Sequence, residues 1–161
     1  MSDEKSNEEL RDEYLARVTA LFDKVKAWTL QHDNKTTFQE ESILIKEEPL
    51  DDYTAKVLII SRPGYKTIKL IPCGRWIIGA EGRVDMKSDL GTETFVYVSD
   101  GGPTVEIDLL TENGKVLAEK TTKTLESDIA EGWVFLQNRQ LGMLLSLNAY
   151  LFHRLLEVLG R

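Results

Sequence analysis

Residues that could do chemistry are concentrated in the segment 72–85 of this chain. That segment contains three glycines and two arginines within a short distance of an acidic pair, namely Gly74, Gly79, Gly82, Arg75, Arg83, Glu81 and Asp85. Glycines expose backbone N–H groups, and arginine presents a fork of donors that matches phosphate oxygens. This composition would suit a loop that holds a phosphate.

The spacing of the glycines argues against a known phosphate loop. A dinucleotide fingerprint follows a strand and opens a helix, whereas these glycines alternate with β-branched residues typical of strands. Their spacing matches neither G-x-G-x-x-G nor the P-loop pattern. We therefore expect hairpin turns and a bulge. The alternative is a ligand site in which Arg75 and Arg83 bind phosphate, while Asp85 and Glu81 provide carboxylates.

The run Gly82-Arg-Val-Asp85, followed by another strand, resembles the metal-binding aspartate region of the PD-(D/E)xK nucleases. In that family the following strand supplies Glu-x-Lys, whose carboxylate completes a Mg²⁺ site and whose lysine steadies the attacking water. The following strand here contains Phe95-Val-Tyr-Val98 and has neither residue. The resemblance covers about one strand, and it implies at most a degenerate metal-dependent phosphodiesterase with an underligated metal.

Two other sets of residues could do chemistry. Glu106 and Asp108 are two apart on a predicted strand and share one face, which the alternation with apolar residues predicts to be solvated. Catalysis by Cys73 would require an adjacent histidine base. The chain has two histidines, His32 after the first predicted helix and His153 on the last. Neither a catalytic triad nor a zinc site can be assembled from them, so we predict no catalytic residue, metal or cofactor.

Helices are predicted at both ends of the chain. Ser6 and Glu9 form a capping-box pattern, and apolar residues then recur every three or four positions, which predicts a helix over residues 8–31 after a flexible polar leader, 1–7. Asn148 can cap a final helix that ends at Gly160. We expect the three tryptophans, Trp28, Trp76 and Trp133, to lie in the core.

Between the helices, side chains alternate between apolar and polar from about Ser42 to Gln137, which predicts about seven to nine short strands. Pro63-Gly64 and Asn113-Gly114 are strong turn signals. No crossover helix separates two strands, as parallel neighbours would require. The expected fold is α+β, an antiparallel meander flanked by a long N-terminal helix and a C-terminal helix, with residues 8–161 forming one domain.

Composition and charge indicate which partners and which cellular compartment to expect. With 27 acidic and 20 basic residues the formal charge is −7, which disfavours nucleic acid and anionic membranes as partners. One cysteine permits no intramolecular disulfide, and the N-terminus resembles no secretory signal. We therefore predict a cytoplasmic protein of bacterial type.

The function class follows by elimination. We expect a non-enzymatic, acidic interaction or accessory domain whose partner is another protein. A phosphate-ligand-binding domain or metal-dependent phosphodiesterase built on 72–85 is the alternative. A homo-oligomer is a third hypothesis, because a second copy could cover an open strand edge.

Overall fold

The computed structural model describes residues 5–75, 81–99, 131–138 and 143–161. The described residues form a long first helix, seven strands and a shorter last helix, in this order: α1 (Asn7–His32), β1 (Thr37–Ile45), β2 (Tyr53–Ser61), β3 (Ile68–Gly74), β4 (Arg83–Ser88), β5 (Gly91–Val98), β6 (Gly132–Asn138), β7 (Met143–Ser146) and α2 (Ala149–Gly160). The predicted α+β class is confirmed.

The strands make one sheet whose spatial order follows the chain from β1 to β7. Every neighbouring pair is antiparallel, so the predicted meander is confirmed. Antiparallel neighbours require no crossover helix between them. Within the described residues β1 and β7 are the two edges of the sheet.

Both helices have the predicted ends to within one or two residues. The Ser6 hydroxyl accepts a hydrogen bond from the Glu9 N–H at 3.1 Å, and Glu8 and Glu9 place negative charge in the first turn of α1. Asn148 caps α2 in the same way, accepting from the Leu151 N–H at 2.9 Å. No helix in the described ranges is both long and apolar enough to span a bilayer.

The core lies between the helices and one face of the sheet. It is built from large side chains that are almost fully buried, chiefly Tyr14, Leu21, Val25, Leu58, Ile60, Leu70, Met86, Phe95, Phe152 and Leu156. The Phe152 ring joins the two layers, because it lies 5.9 Å from the Trp28 ring and 6.4 Å from the Phe95 ring. Trp28 and Trp133 are only half-buried at the margin of this core.

Two strand predictions need correction. β1 begins at Thr37, five residues before the predicted start at Ser42, because its exposed first half shows no apolar alternation. β7 was not predicted, since four residues are too few to show a period. The predicted turn at Pro63-Gly64 is confirmed: Gly64 has a φ of +82°, and the Tyr65 N–H donates to the Arg62 carbonyl.

Several sequence predictions lie outside the described residues. They are the predicted strand with the carboxylates Glu106 and Asp108, the turn at Asn113-Gly114, and the residues Trp76 and Gly79.

Candidate functional site

Arg83 and Asp85 are the two predicted site residues that touch each other. They lie two apart on β4, and the guanidinium forks onto the carboxylate with Nε–Oδ1 at 2.9 Å and Nη2–Oδ2 at 3.0 Å. Thr94 on β5 donates its hydroxyl to the same Oδ1 at 3.0 Å. The hydrogen bond to Asp85 raises the pKa of Arg83 above its ordinary value. The fork that would bind phosphate is therefore directed at a carboxylate on its own strand.

Arg75 is positioned by different contacts. Its backbone N–H donates to the Glu47 carboxylate, with both oxygens at 2.9 Å. Glu47 also fills the space beside Gly74, where an added Cβ would lie 1.9 Å from Oε2. The Tyr14 hydroxyl completes this junction, because it accepts from the Gly74 N–H at 3.1 Å and donates to the Arg83 carbonyl at 2.7 Å. These contacts hold β3, β4 and α1 together.

Glu81 lies just before β4, where its backbone extends the ladder to β5. The Glu81 N–H donates to the Tyr97 carbonyl at 2.8 Å, and the Tyr97 N–H donates to the Gly82 carbonyl at 2.9 Å. The four predicted residues are thus divided among three sets of contacts. In the described part of the chain, no three His, Cys, Asp or Glu side chains are grouped closely enough to hold a metal ion.

Cys73 is exposed, but its surroundings do not activate the thiol as a nucleophile. The Sγ donates to the Ile71 carbonyl at 3.3 Å. Partial desolvation, and then the negative charge of Asp85, raise the pKa of Cys73 to about 11. Because the thiolate is the nucleophilic form, this cysteine is poorly reactive at neutral pH.

The two histidines, which the sequence left apart, stack on each other. Their ring centroids are 4.7 Å apart with an interplanar angle of 22°. His32 Nε2 lies 2.9 Å from Glu157 Oε2, and His153 Nε2 lies 2.7 Å from the Trp28 carbonyl. Carboxylates and carbonyls only accept hydrogen bonds, so each Nε2 carries a hydrogen. The pair joins the last residue of α1 to the middle of α2.

Arg62, which directly follows β2, connects α2 to Asp33, the residue after α1. Its side chain is only 3% exposed, with Nη2 at 2.8 Å from Glu157 Oε2 and Nε at 3.4 Å from Asp33 Oδ2. The guanidinium also lies over the Tyr65 ring, 3.8 Å from its centroid. Hydrogen bonds from His32 and Arg62 lower the pKa of Glu157. This buried junction fixes the position of α2.

An open groove of about 520 Å³ lies on the solvent side of the histidine pair. We call its lining the α2 surface, defined by His32, His153, Tyr150, Arg154, Val158 and Arg161. Tyr150 is 72% exposed and Val158 is 61% exposed. With Arg154 between them, they follow the i, i+4, i+8 spacing of one helix face.

Arg154 gives the α2 surface a positive charge that no other described residue neutralises. Arg154 is exposed and forms no ion pair with another described residue. The one carboxylate of the groove, Glu157, is already bound by Arg62 and His32, and lies 3.8 Å from the Arg161 Nε. A basic, partly apolar face thus lies on a chain of formal charge −7.

A second groove, of about 440 Å³, lies between α1 and the β5–β6 pair. The Arg17 guanidinium lies 4.1 Å from the Tyr97 ring centroid, and Tyr97 donates its hydroxyl to Glu131 at 2.6 Å. Trp133 Nε1 donates to the Arg17 carbonyl at 3.2 Å. These polar groups bind one another, so this groove offers fewer groups for a ligand than the α2 surface does.

No protein-family model matches this chain, and neither the characterised proteins nor the solved structures compared with it give a match.

Proposed function

We propose that this chain is a non-enzymatic protein-interaction domain that binds a partner protein through the α2 surface. The observation that carries the proposal is the pair of exposed side chains Tyr150 and Val158, with Arg154 between them on one face of α2. Tyrosine and arginine are enriched in protein interfaces and among the residues that contribute most to binding energy.

The free energy available from this face is substantial. Complete burial of an apolar side chain stabilises a complex by roughly 1.5–3 kcal/mol, and an aromatic side chain buries roughly 150–250 Å². A partner that covers Tyr150 and Val158 would therefore remove two large apolar groups from water at neighbouring points.

The α2 surface is also held in place before any partner arrives. The opposite face of α2 is buried through Phe152, Leu155 and Leu156. Ser88 donates its hydroxyl to the Leu159 carbonyl at 2.6 Å, which ties the end of α2 to β4. A surface that is already ordered loses less conformational entropy on binding.

Local charge indicates the kind of partner. Arg154 and Arg161 favour a segment with carboxylates, and Tyr150 and Val158 favour apolar residues beside them. An amphipathic helix with an acidic flank meets both requirements, and helices of this kind bind in grooves through residues spaced by three or four. Repulsion from the chain's overall negative charge is weak here, because salt screens charges beyond about 8 Å at physiological ionic strength.

The test is position-dependent photo-cross-linking in extract. A photoreactive phenylalanine derivative replaces Tyr150 in one variant and Leu44 in another. Leu44 is 55% exposed and lies on the edge strand β1, whereas α2 packs on β3 and β4, so it is a matched control. We expect position 150 to label an acidic amphipathic segment of a partner, and position 44 not to label it. Equal labelling at both positions, or labelled segments without carboxylates, would overturn the proposal.

A further inference from the structure

We infer that the open edge of β1 is a second docking site, and that it accepts an extended basic segment of a partner protein as an added strand. This site is separate from the α2 surface and does not depend on it. It rests on the geometry of β1, its exposure and its charge.

β1 offers a long, regular row of backbone groups that no other described strand bonds. All nine of its residues pair with β2, from Thr37↔Ser61 to Ile45↔Tyr53 without a register shift. In the described ranges no strand lies on its other side. Alternate residues of an edge strand direct their N–H and C=O groups outward, so β1 can pair with another chain along its length. The other edge, β7, has only four residues.

The side chains of β1 leave this edge accessible. Six of the nine residues are exposed. Edge strands are usually protected by proline, lysine, a bulge or a covering element. β1 contains no proline and no lysine, and its register has no bulge, whereas β3 has a register shift near Pro72.

The charges on β1 specify the partner. Glu40 and Glu41 are both exposed and, being consecutive, lie on opposite faces of the strand. Their cross-strand partners on β2 are Leu58 and Val57, which cannot neutralise them. Neither glutamate forms an ion pair with another described residue.

An added strand would place a residue opposite each of these carboxylates. Opposite charges in cross-strand pairs stabilise a sheet, so the added strand would carry lysine or arginine on both faces. Leu44, on the same face as Glu40, is 55% exposed and would pair with an apolar residue. A basic segment with interspersed apolar residues fits this edge.

A second copy of this chain fits less well. A two-fold antiparallel pair of β1 strands centred on Glu40 or Glu41 places two carboxylates directly opposite each other, which is destabilising. The charge on the edge therefore favours a basic partner over self-association.

The test uses a fluorescent peptide of about ten residues in which pairs of lysines alternate with pairs of valines, so that both faces of the added strand carry lysine and its length covers β1. One control peptide has glutamate in place of lysine. The other has N-methyl groups on the valines, which remove donors from both edges of the peptide. We expect anisotropy titrations to show binding of the basic peptide, and affinities weaker by at least about tenfold for both controls.

Charge reversal in the protein tests the same site. Glu40→Lys should weaken binding of the basic peptide about tenfold. Asp52→Lys changes the net charge equally at an exposed position just before β2, and should leave the affinity within about twofold of wild type. Tyr150→Ala should also leave it unchanged, since that residue belongs to the α2 surface.

Proline scanning tests the strand geometry. Consecutive N–H groups of a strand point in opposite directions. One of the variants Glu40→Pro and Glu41→Pro therefore removes a donor to β2, and the other removes a donor on the open edge. The variant that keeps the wild-type melting temperature should lose peptide binding; if neither folds, the N-methylated peptide decides.

Three results would overturn the inference. They are no binding of the basic peptide, equal binding of its N-methylated form, or a wild-type dimer in light scattering that the folded proline variant converts to monomer.

Discussion

Glu157 on α2 accepts hydrogen bonds from two side chains in different parts of the chain, Arg62 at 2.8 Å and His32 at 2.9 Å. Its carboxylate thereby joins the end of β2 and the end of α1 to the last helix. The face of α2 that points to solvent keeps its position because this junction and the apolar contacts beneath it hold the helix.

Removal of Arg62 should destabilise the fold. Arg62→Met leaves Glu157 and Asp33 without their guanidinium partner and removes the packing on Tyr65. We expect a loss of about 2–3 kcal/mol in the free energy of unfolding, below the full cost of breaking a buried pair because both carboxylates remain partly exposed. Urea titration followed by circular dichroism measures it. Arg154→Met, at an exposed position of α2, is the control, and an equal loss in both variants would contradict the assigned role of Arg62.

The Glu157 junction also predicts a pH dependence. Hydrogen bonds from His32 and Arg62 lower the pKa of Glu157 in the folded state. A carboxylate with a depressed folded pKa contributes stability above its unfolded pKa, and that contribution is lost as the pH falls through the folded pKa. Wild-type stability should therefore drop more steeply below about pH 4.5 than that of Glu157→Gln. If the free energy of unfolding of the two proteins fell equally steeply below pH 4.5, the junction would not lower this pKa.

A side chain at Gly74 should destabilise the fold. Its φ of +119° disfavours L-residues, and a Cβ would lie 1.9 Å from the Glu47 Oε2. We expect Gly74→Ala to cost about 2–3 kcal/mol, from backbone strain and displacement of Glu47. Gly64→Ala is the matched control, because Gly64 also has positive φ but no atom within 4 Å of an added Cβ. Gly64→Ala should cost about 1 kcal/mol, from strain alone. Similar losses in both variants would contradict the importance of the Glu47 contact.

Cys73 should be alkylated slowly at neutral pH despite its exposure. Since desolvation and Asp85 raise its pKa to about 11, only a small fraction is thiolate at pH 7. The rate with iodoacetamide should increase steadily with pH up to that value. Asp85→Asn should increase the rate at neutral pH, because it removes the nearby negative charge. A rate that is already maximal at pH 8 would contradict this environment.

The alternative function at 72–85 makes a separate prediction. If Arg83 binds Asp85 and not a ligand, Mg²⁺, Mn²⁺ or nucleoside phosphates should leave the melting temperature unchanged. A ligand specific to the folded state would stabilise it by roughly 2.7 kcal/mol at a hundredfold excess over its Kd. A shift of this kind that Arg83→Gln abolishes would instead support the phosphate-ligand site.

Local sequence signals predicted the helices and most of the sheet. The side chains of Ser6 and Asn148 cap helices, and Pro63-Gly64 suits the dihedral angles of its turn. These effects are predictable because each involves residues only a few positions apart. The first half of β1 escaped prediction for a physical reason: an edge strand exposed on both faces needs no alternation between apolar and polar residues.

The candidate site was much harder to predict. Arg83 and Asp85 were both predicted as candidate ligand residues of one segment, but the sequence does not show that they bind each other. The stack of His32 on His153, and the contact of Arg62 with Glu157, join residues far apart in the chain. No local pattern encodes such contacts, because they arise only when α1 and α2 pack side by side.

The most direct test of the α2 surface uses the partner segment that cross-links to position 150. This segment is prepared as a peptide, and its affinity for three proteins is measured by titration calorimetry. Against wild type, we predict that Tyr150→Ala weakens binding at least about tenfold and that Leu44→Ala leaves it unchanged. Equal affinity of all three proteins for that peptide would contradict the proposal that this chain recognises its partner through α2.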